Sequence, residues 1–217
     1  MTAPSSIYPA DSVEAVYWTS RNTLAVAARA LNEKLISSDI PADTALQMAA
    51  ELEKITSALA ALPQVSGLVD MGRRGDRGTV DNVMGELVAM AGRSHPCTPQ
   101  LSWQEESNGI SGTVVFGQAF EGTPGHVHGG WVAGILDHIM GMTHVRTGNP
   151  GMTGGLSVKY RRPTPLNTPI SVRAVAQALD ERRTEVTAEM GYADTTTATA
   201  EAIFVSVDSA RFGFDSR

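Results

Sequence analysis

The feature that most restricts the fold of this chain is an apolar segment, 129–144, that lies between stretches of a different, β-type pattern. Its apolar residues occur at helical spacing and extend nearly all round the helix. They are Val132, Ile135, Leu136, Ile139 and Met140. A helix that is apolar on nearly every side is stable only when it is buried. We therefore expect residues 129–144 to form a helix enclosed by the rest of the domain.

The segments around this helix alternate in polarity or carry β-branched residues, which is typical of strands. Two precede it, at 101–105 and 112–119, and the turn dipeptide Asn108-Gly109 between them indicates a hairpin. Four follow it, at 156–162, 170–179, 185–192 and 198–207. The pattern predicts an α+β domain, in which an antiparallel sheet of five to six strands wraps around one central helix.

The N-terminal part of the chain has a helical pattern instead. Apolar residues at spacings of three, four and seven predict a helix over residues 12–37, with Asp11 as its N-cap and Glu14 completing a capping box. A second amphipathic stretch follows Pro41 and predicts a helix over residues 42–62. We expect the two helices to form a hairpin whose apolar stripes dock on a partner surface.

Between this hairpin and the sheet lies a predicted loop, 66–80, which contains the glycine- and arginine-rich segment 72–78. The preferred interpretation is a solvated loop, and an arginine cluster that binds phosphate is the alternative. Residues 81–92 predict another short helix, weakened by Gly85. We therefore divide the chain into a helical extension, 1–95, and a sheet-containing domain, 96–217.

Composition excludes several functional classes. The 217 residues carry a net charge of −6, which argues against a general nucleic-acid binder or a binder of anionic membranes. The N-terminus lacks the pattern of a signal peptide, and no membrane-spanning segment is visible. The single cysteine, Cys97, cannot form an intrachain disulfide or a cysteine-based zinc site. We expect a cytoplasmic protein that binds no nucleic acid and does not insert into membranes.

A distinctive set of polar residues and glycines lies around the central helix. His128-Gly129-Gly130 opens it, and Asp137 lies nine residues after the histidine. Thr153 lies beyond the helix, and Tyr160-Arg161-Arg162-Pro163 ends the next strand. This combination resembles the PaaI-like branch of the hotdog-fold acyl-CoA thioesterases. The resemblance extends over residues 101–207 and leaves the helical extension outside it.

The resemblance implies a hotdog fold and the hydrolysis of an acyl-CoA to a free acid and coenzyme A. It also implies a homodimer with active sites at the interface, with a dimer of dimers as a further assembly. No cofactor is implied, because coenzyme A is part of the substrate. A non-catalytic dimer that binds acyl-CoA or lipid is the alternative function, and a hotdog hydratase is a weaker one.

The resemblance further implies that Thr153 positions the attacking water or the acid. It favours Arg161 and Arg162 as ligands of the coenzyme A phosphates. Lys159 belongs to the same basic cluster, for which a solvated strand end is the alternative interpretation.

The two glycines have an independent physical meaning. The first N–H groups of a helix have no partner within the helix, and the positive end of the helix dipole lies behind them. Gly129 and Gly130 would let a ligand approach this backbone closely, which suits an oxyanion formed from a thioester carbonyl. The alternative is a glycine pair that only turns the chain into the helix.

Asp137 is the strongest single candidate, because an unpaired carboxylate is costly within an apolar helix. It is expected to act as a general base or as a nucleophile; the alternative is a buried aspartate satisfied by its neighbours. Gly129 and Asp137 are eight residues apart, which is about 12 Å along a helix. One chain cannot easily bring both to a single carbonyl carbon, whereas two antiparallel helices in a homodimer can.

Three further residues are weaker candidates. His128 is expected to orient the thioester or to form a local hydrogen bond. With His126 it forms a His-x-His pair, but no third ligand occurs at a recognisable spacing, so we expect no metal. Trp131 is expected to contact the ligand or to pack at the dimer interface, two roles that the sequence does not separate.

Overall fold

The computed structural model describes residues 8–9, 12–148 and 151–207. Its helices are α1 (Val13–Ser37), α2 (Ala42–Ala60), α3 (Gly67–Arg73), α4 (Val80–Leu87) and α5 (Gly129–Val145). Its strands are β1 (Gln100–Glu106), β2 (Gly109–Val115), β3 (Gly151–Tyr160), β4 (Pro169–Ala178), β5 (Arg183–Tyr192) and β6 (Thr195–Ser206). A 3₁₀ turn, Gln118–Phe120, lies between β2 and α5.

The six strands form one antiparallel sheet in the order β1-β2-β4-β5-β6-β3. This arrangement confirms the predicted α+β architecture with the hotdog fold. Strands β1 and β3 form the two edges of the sheet within this chain. Because β3 follows α5 directly in the sequence, the helix leads the chain to the edge formed by β3.

Helix α5 packs on strands β2 to β6, as its apolar composition predicts. Ile135, Leu136, Ile139 and Met140 are all fully buried. They meet a sheet surface made of the inward-facing residues Ile110, Val114, Ile170, Val172, Val186, Met190 and Phe204. Burial of side chains of this size stabilises the fold by about 1.5–3 kcal/mol each. These contacts fix both the position and the rotation of α5 on the sheet.

The strand boundaries differ from the sequence-based prediction most in β2 and β3. β3 begins at Gly151 and ends at Tyr160, whereas the prediction was 156–162. The first half of β3 is rich in glycine and therefore has a low β-propensity. It forms a strand because it pairs with β6. β2 ends at Val115, short of the predicted residue 119, because the chain leaves the sheet for the 3₁₀ turn.

The prediction of a loop over residues 66–80 is wrong in its first half, which forms α3. Met71 of α3 packs with Trp18 of α1 and Val83 of α4 in a small core separate from the sheet. α4 ends at Leu87 rather than at residue 92, because the chain is extended at Val88. The rest of the predicted loop also contacts α1, since Arg77 lies 3.8 Å from the centre of the Tyr17 ring.

The two long N-terminal helices differ in how they are buried. α1 is capped by Ser12, whose side chain accepts a hydrogen bond from the Ala15 amide; the predicted cap, Asp11, lies outside the described residues. α1 buries Trp18 and Ala25, whereas α2 buries none of its residues. The expectation that both apolar stripes dock is therefore wrong for α2 within this chain, and α2 forms no buried hairpin with α1. It is also largely wrong for α1, since Val13, Val16, Leu24, Leu31 and Leu35 of the predicted stripe are exposed. α1 docks instead through Trp18, Ala25 and polar side chains on another face. Nowhere in the described ranges is there a helix long and apolar enough to cross a membrane.

Hydrogen bonds fix α1 to the start of the sheet domain. The Asn22 and Arg29 side chains donate to the carbonyl oxygen of Arg93, at 2.6 and 3.2 Å. Arg29 also donates to the His95 carbonyl at 2.7 Å. These contacts join the helical extension to the segment that leads into β1, although the domain boundary at residue 95 stays a prediction.

His144, near the end of α5, is a buried titratable group with no hydrogen bond to its ring nitrogens among the described residues. The ring is fully buried and stacks on Phe204 with centroids 4.7 Å apart. A side chain at Gly151 would lie 2.3 Å from His144 Nε2, so this position requires glycine. Burial lowers the pKa of His144, which is therefore neutral in the folded protein at neutral pH.

The neutral state of His144 predicts a specific pH dependence of stability. Below the unfolded pKa of about 6.5, the unfolded chain binds a proton at this residue and the folded chain does not. The free energy of unfolding therefore falls as pH falls from that value toward the lowered folded pKa. Replacing His144 with Leu removes this contribution, which amounts to at most about 1.4 kcal/mol per pH unit.

Urea unfolding of the wild type and of His144→Leu between pH 5.5 and 8 checks this prediction. The free energy of unfolding of the variant minus that of the wild type should rise as pH falls. Burial also lowers the pKa of His95 and His138, so the variant should keep part of the slope. Parallel curves for the two proteins would show that His144 is not the group responsible.

Candidate active site

The start of α5 is capped by His128. Its Nδ1 accepts a hydrogen bond from the Gly130 amide at 3.0 Å, so this nitrogen carries no proton in this arrangement. The His128 carbonyl accepts from the amides of Trp131 and Val132. Among the described residues, the Gly129 N–H makes no hydrogen bond. At the positive end of the helix, the Gly129 N–H thus has no hydrogen-bond partner among the described residues, and the Gly130 N–H is hydrogen-bonded to the histidine ring.

Tyr160, the last residue of β3, lies against the same helix end. Its hydroxyl donates to the Gly129 carbonyl at 2.9 Å, and a side-chain carbon built on Gly129 would touch the tyrosine ring at 3.4 Å. The tyrosine is exposed, at 57%. The sequence motif contained Tyr160, but it was not a predicted site residue. Its position at the end of a strand that follows the apolar helix is the signal that could have identified it.

Asp137 and Thr153 form the second part of the site. The Thr153 hydroxyl donates to Asp137 Oδ1 at 3.0 Å. The contact joins the middle of α5 to the start of β3, where the register with β6 shifts between Thr153 and Gly155. Such a bulge changes the direction of a side chain at a sheet edge. The hydroxyl occupies one carboxylate oxygen, and Oδ2 has no hydrogen-bond partner among the described residues.

His138 follows Asp137 in the helix and is half-buried. Burial lowers the pKa of this histidine, and the neighbouring Asp137 carboxylate opposes part of that shift. His138 is therefore predominantly neutral near pH 7 and supplies little positive charge to Asp137.

The predicted site residues fall into two groups that one chain does not bring together. His128, Gly129 and Gly130 lie at the start of α5, while Asp137 and Thr153 meet about two turns further on. Eight residues of helix separate Gly129 from Asp137, which corresponds to about 12 Å. Atoms that react with each other must lie within about 3.5 Å. Within one chain the Gly129 backbone and the Asp137 carboxylate are therefore separate groups on the helix, and their joint action on one carbonyl carbon across a dimer stays a prediction.

The predicted basic cluster lies at the end of β3. Lys159 is already paired with Glu201, with Nζ 3.2 Å from Oε1. Arg161 and Arg162 are exposed, and their backbone amides donate to the Thr197 carbonyl. No ion pair of either guanidinium occurs within the described part of the chain. The two arginines are thus available to a negatively charged group, whereas Lys159 is engaged.

Trp131 is the third residue of α5. Its ring meets Phe120 edge to face, with centroids 4.9 Å apart, and it packs against the main core. His126, the other half of the His-x-His pair, has Nδ1 2.9 Å from the Pro124 carbonyl oxygen. The described residues contain no group of three or more His, Cys, Asp or Glu side chains placed to hold a metal ion. The absence of a metal stays a prediction.

Comparisons with known proteins agree with this architecture. Residues 124–199 match the family model described as the thioesterase superfamily. The crystal structure of a thioesterase superfamily protein superimposes with a TM-score of 0.73 and 26% sequence identity. That alignment covers 94% of this chain and 97% of the other, so it includes most of the N-terminal helices.

Two curated relatives match a shorter segment. The chain is 32% identical over 94 residues to acyl-coenzyme A thioesterase THEM4 of Mus musculus and 33% identical to that of Rattus norvegicus. Each match covers 42% of this chain and spans 40% of the relative's length. Residues 124–199 thus match the thioesterase superfamily, and the six-stranded sheet with its central helix has the hotdog fold.

Proposed function

We propose that this protein is an acyl-CoA thioesterase, which hydrolyses an acyl-CoA to a free acid and coenzyme A. The observation that carries the proposal is the hydrogen bond from Thr153 to Asp137, which orients a carboxylate on an otherwise apolar helix. The match of residues 124–199 to the thioesterase superfamily and the similarity of part of the chain to acyl-coenzyme A thioesterases support the same reaction class. Water is the second substrate, and the reaction needs no cofactor. The acidic composition and the single cysteine support a cytoplasmic location.

Asp137 supplies the chemical step in this proposal. With Oδ1 held by Thr153, Oδ2 is directed to the reaction. As a general base it takes a proton from water while the water oxygen bonds to the carbonyl carbon, after which the C–S bond breaks and the thiolate leaves. As a nucleophile the same oxygen attacks the carbon, the C–S bond breaks and the thiolate leaves; water then hydrolyses the mixed anhydride that has formed. Both routes need the same carboxylate in the same orientation.

The start of α5 stabilises the oxyanion. The Gly129 N–H is uncommitted among the described residues and lies at the positive end of the helix. The Gly130 N–H becomes a second donor when the His128 ring turns away from it. His128 therefore keeps this donor satisfied in the absence of substrate. Tyr160 holds the Gly129 carbonyl and thereby positions the peptide group that follows it.

A homodimer completes the site, because Asp137 of one protomer must act on a thioester held at Gly129 of the other. β3 is an edge strand, and Met152, Leu156 and Tyr160 on it are 47%, 38% and 57% exposed. An exposed edge with apolar side chains is suited to pairing with another chain. We propose that β3 lies in this interface, and that Arg161 and Arg162 at its end bind the phosphates of coenzyme A.

The Asp137–Thr153 pair predicts a non-additive loss of activity. Asp137→Asn should lower kcat by about 10² to 10⁴-fold, because the base or nucleophile is lost. Thr153→Val should lower it by about 10- to 100-fold and Thr153→Ser much less, because serine keeps the hydroxyl. The double variant should be no slower than Asp137→Asn alone, since Thr153 acts through the carboxylate.

Release of free thiol from a series of acyl-CoAs, read with a chromogenic disulfide, measures these rates. Asp43→Asn, on the exposed surface of α2, is the matched control and should behave as the wild type. Near-wild-type turnover by Asp137→Asn would exclude the mechanism. Tight acyl-CoA binding without any thiol release would favour the non-catalytic binding protein instead.

A second prediction concerns the Gly129 N–H. Gly129 is the first residue of α5 and follows an extended His128 (φ −62°, ψ 133°), which is the backbone that proline accepts. Gly129→Pro should therefore fold but lower kcat by about 10² to 10³-fold, because it deletes one oxyanion donor. Gly129→Ala keeps the N–H and should lose far less.

Circular dichroism and thermal unfolding establish that both variants at Gly129 are folded. Equal losses in Gly129→Ala and Gly129→Pro would mean that the space at this position, rather than its N–H group, is what the reaction requires.

The shared site predicts complementation between two inactive variants. A hybrid dimer of Asp137→Asn with Gly129→Pro contains one site with both groups intact and one site with neither. It should recover about half of the wild-type activity per dimer, since the two sites are related by two-fold symmetry. Co-expression with two different affinity tags isolates the hybrid. A hybrid as inactive as its parents would place both groups in the same chain's site.

A further inference from the structure

A groove of about 610 Å³ lies between the C-terminal half of α1 and the sheet domain. On α1 it is lined by the aliphatic side chains of Val26, Ala30, Leu35 and Ile36. On the opposite side it is lined by Val115, Phe120 and Trp131. Its volume lies within the range of about 300–1,000 Å³ that is typical of small-molecule sites. The groove thus has apolar walls contributed by two separate parts of the chain.

Polar contacts between the two parts keep the groove open. Asn32 of α1 donates to the Pro96 carbonyl at 3.2 Å, and Glu33 accepts from the Ala119 amide at 3.3 Å. With Arg29, these side chains hold the helix to the sheet domain at its polar positions. The apolar positions do not close on the opposite wall, so Val26 and Ile36 remain 44% and 62% exposed.

The same contacts engage the two charged residues that line the groove. Its two charged lining residues are Arg29, which donates to the carbonyls of Arg93 and His95, and Glu33, which accepts from a backbone amide. Every other lining residue is uncharged, and the walls are mostly aliphatic or aromatic. The groove therefore suits an uncharged, apolar group.

The groove reaches α5 at Trp131, in the first turn of the helix. Trp131, in the wall, follows directly after Gly130, and its ring contacts Phe120. The Phe120 carbonyl accepts a hydrogen bond from the His128 amide at 2.9 Å. The groove wall at Trp131 is therefore two residues along α5 from Gly129.

We propose that this groove binds the acyl group of the substrate, as an aliphatic chain, and that α1 thereby limits its length. The inference rests on the proposed thioesterase function, since the thioester carbonyl at Gly129 connects the groove to the reaction. It adds a specificity site built by the helical extension, which lies outside the segment that matches the thioesterase superfamily. Burial of each methylene group of the chain against these walls favours binding.

Filling the groove tests the proposal. Ala30→Trp places a large ring among the lining residues, while Ala27→Trp places it on an exposed face of the same helix that does not line the groove. Ala30→Trp should lower the ratio of kcat/KM for dodecanoyl-CoA to kcat/KM for acetyl-CoA by about tenfold or more. Ala27→Trp should leave this ratio unchanged. An unchanged ratio in a folded Ala30→Trp variant would overturn the proposal.

Cys97 supplies a second readout that does not depend on hydrolysis. It is the only cysteine of the chain, it is exposed, and it lines the groove. Dodecanoate should slow its alkylation by iodoacetamide about tenfold at ten times the dissociation constant of dodecanoate. Butyrate at the same concentration should protect little, and Ala30→Trp should weaken the protection by dodecanoate.

The two readouts separate the inference from the function on which it rests. Protection of Cys97 by dodecanoate, with no hydrolysis of any acyl-CoA, would reject the thioesterase and keep the groove as an apolar-chain site. Hydrolysis without protection would keep the enzyme and overturn the groove proposal. A Cys97 that is inert in the native protein but reactive in urea would also overturn it, because another protein segment then covers the groove.

Discussion

The burial of α5 against the sheet is the interaction on which the rest of the structure depends. With Ile135, Leu136 and Ile139 fixed in the core, the rotation of the helix is set. Gly130 and Asp137 lie seven residues apart and therefore share the opposite face, which the sheet leaves uncovered. A carboxylate on this helix would be costly in the core, but on this face it reaches the edge of the sheet and Thr153. The apolar packing of α5 thus places Asp137 on the uncovered face, and the Thr153 hydroxyl then orients its carboxylate.

The edge strand β3 brings polar side chains to both Asp137 and the start of α5. Its N-terminal end carries Thr153 to Asp137, and its C-terminal end carries Tyr160 to Gly129. Both contacts follow from β3 lying alongside the helix that precedes it in the chain. The glycines that weaken its local strand signal allow the shift in register at Gly154, where a side chain would come within 2.9 Å of Val205. A strand with stronger local propensity would pair more regularly and would direct residue 153 differently.

The sequence predicts the parts of this molecule that depend on local pattern and misses those that depend on tertiary contact. Helix α5 and most strands follow from periodicity, because a buried helix and a half-buried strand impose different spacings. Helix α3 and the first half of β3 lack that signal and form through contacts with distant segments, Trp18 for the helix and β6 for the strand. The amphipathic sequence of α2 likewise does not predict that the helix is exposed.

Among the site residues, Asp137 stands out by its apolar surroundings, and Thr153 is identified through the family resemblance. The sequence does not predict that His128 caps α5, since histidine is not among the usual N-cap residues.

The attachment of α1 shows how an extension can alter a site without taking part in its chemistry. An amphipathic helix that docks through its apolar stripe closes the space beneath it, because close packing leaves few voids. α1 docks differently near its C-terminal end: Arg29, Asn32 and Glu33 reach backbone groups of the sheet domain, and these bonds set the separation between the two parts. The partners of these three side chains are backbone groups, which remain when neighbouring side chains are substituted. The aliphatic residues of α1 that lie between the three can therefore vary without loss of the attachment. In the proposed enzyme, the groups at α5 and β3 carry out hydrolysis, and the residues of α1 set which acyl chain fits, so the two properties can change independently.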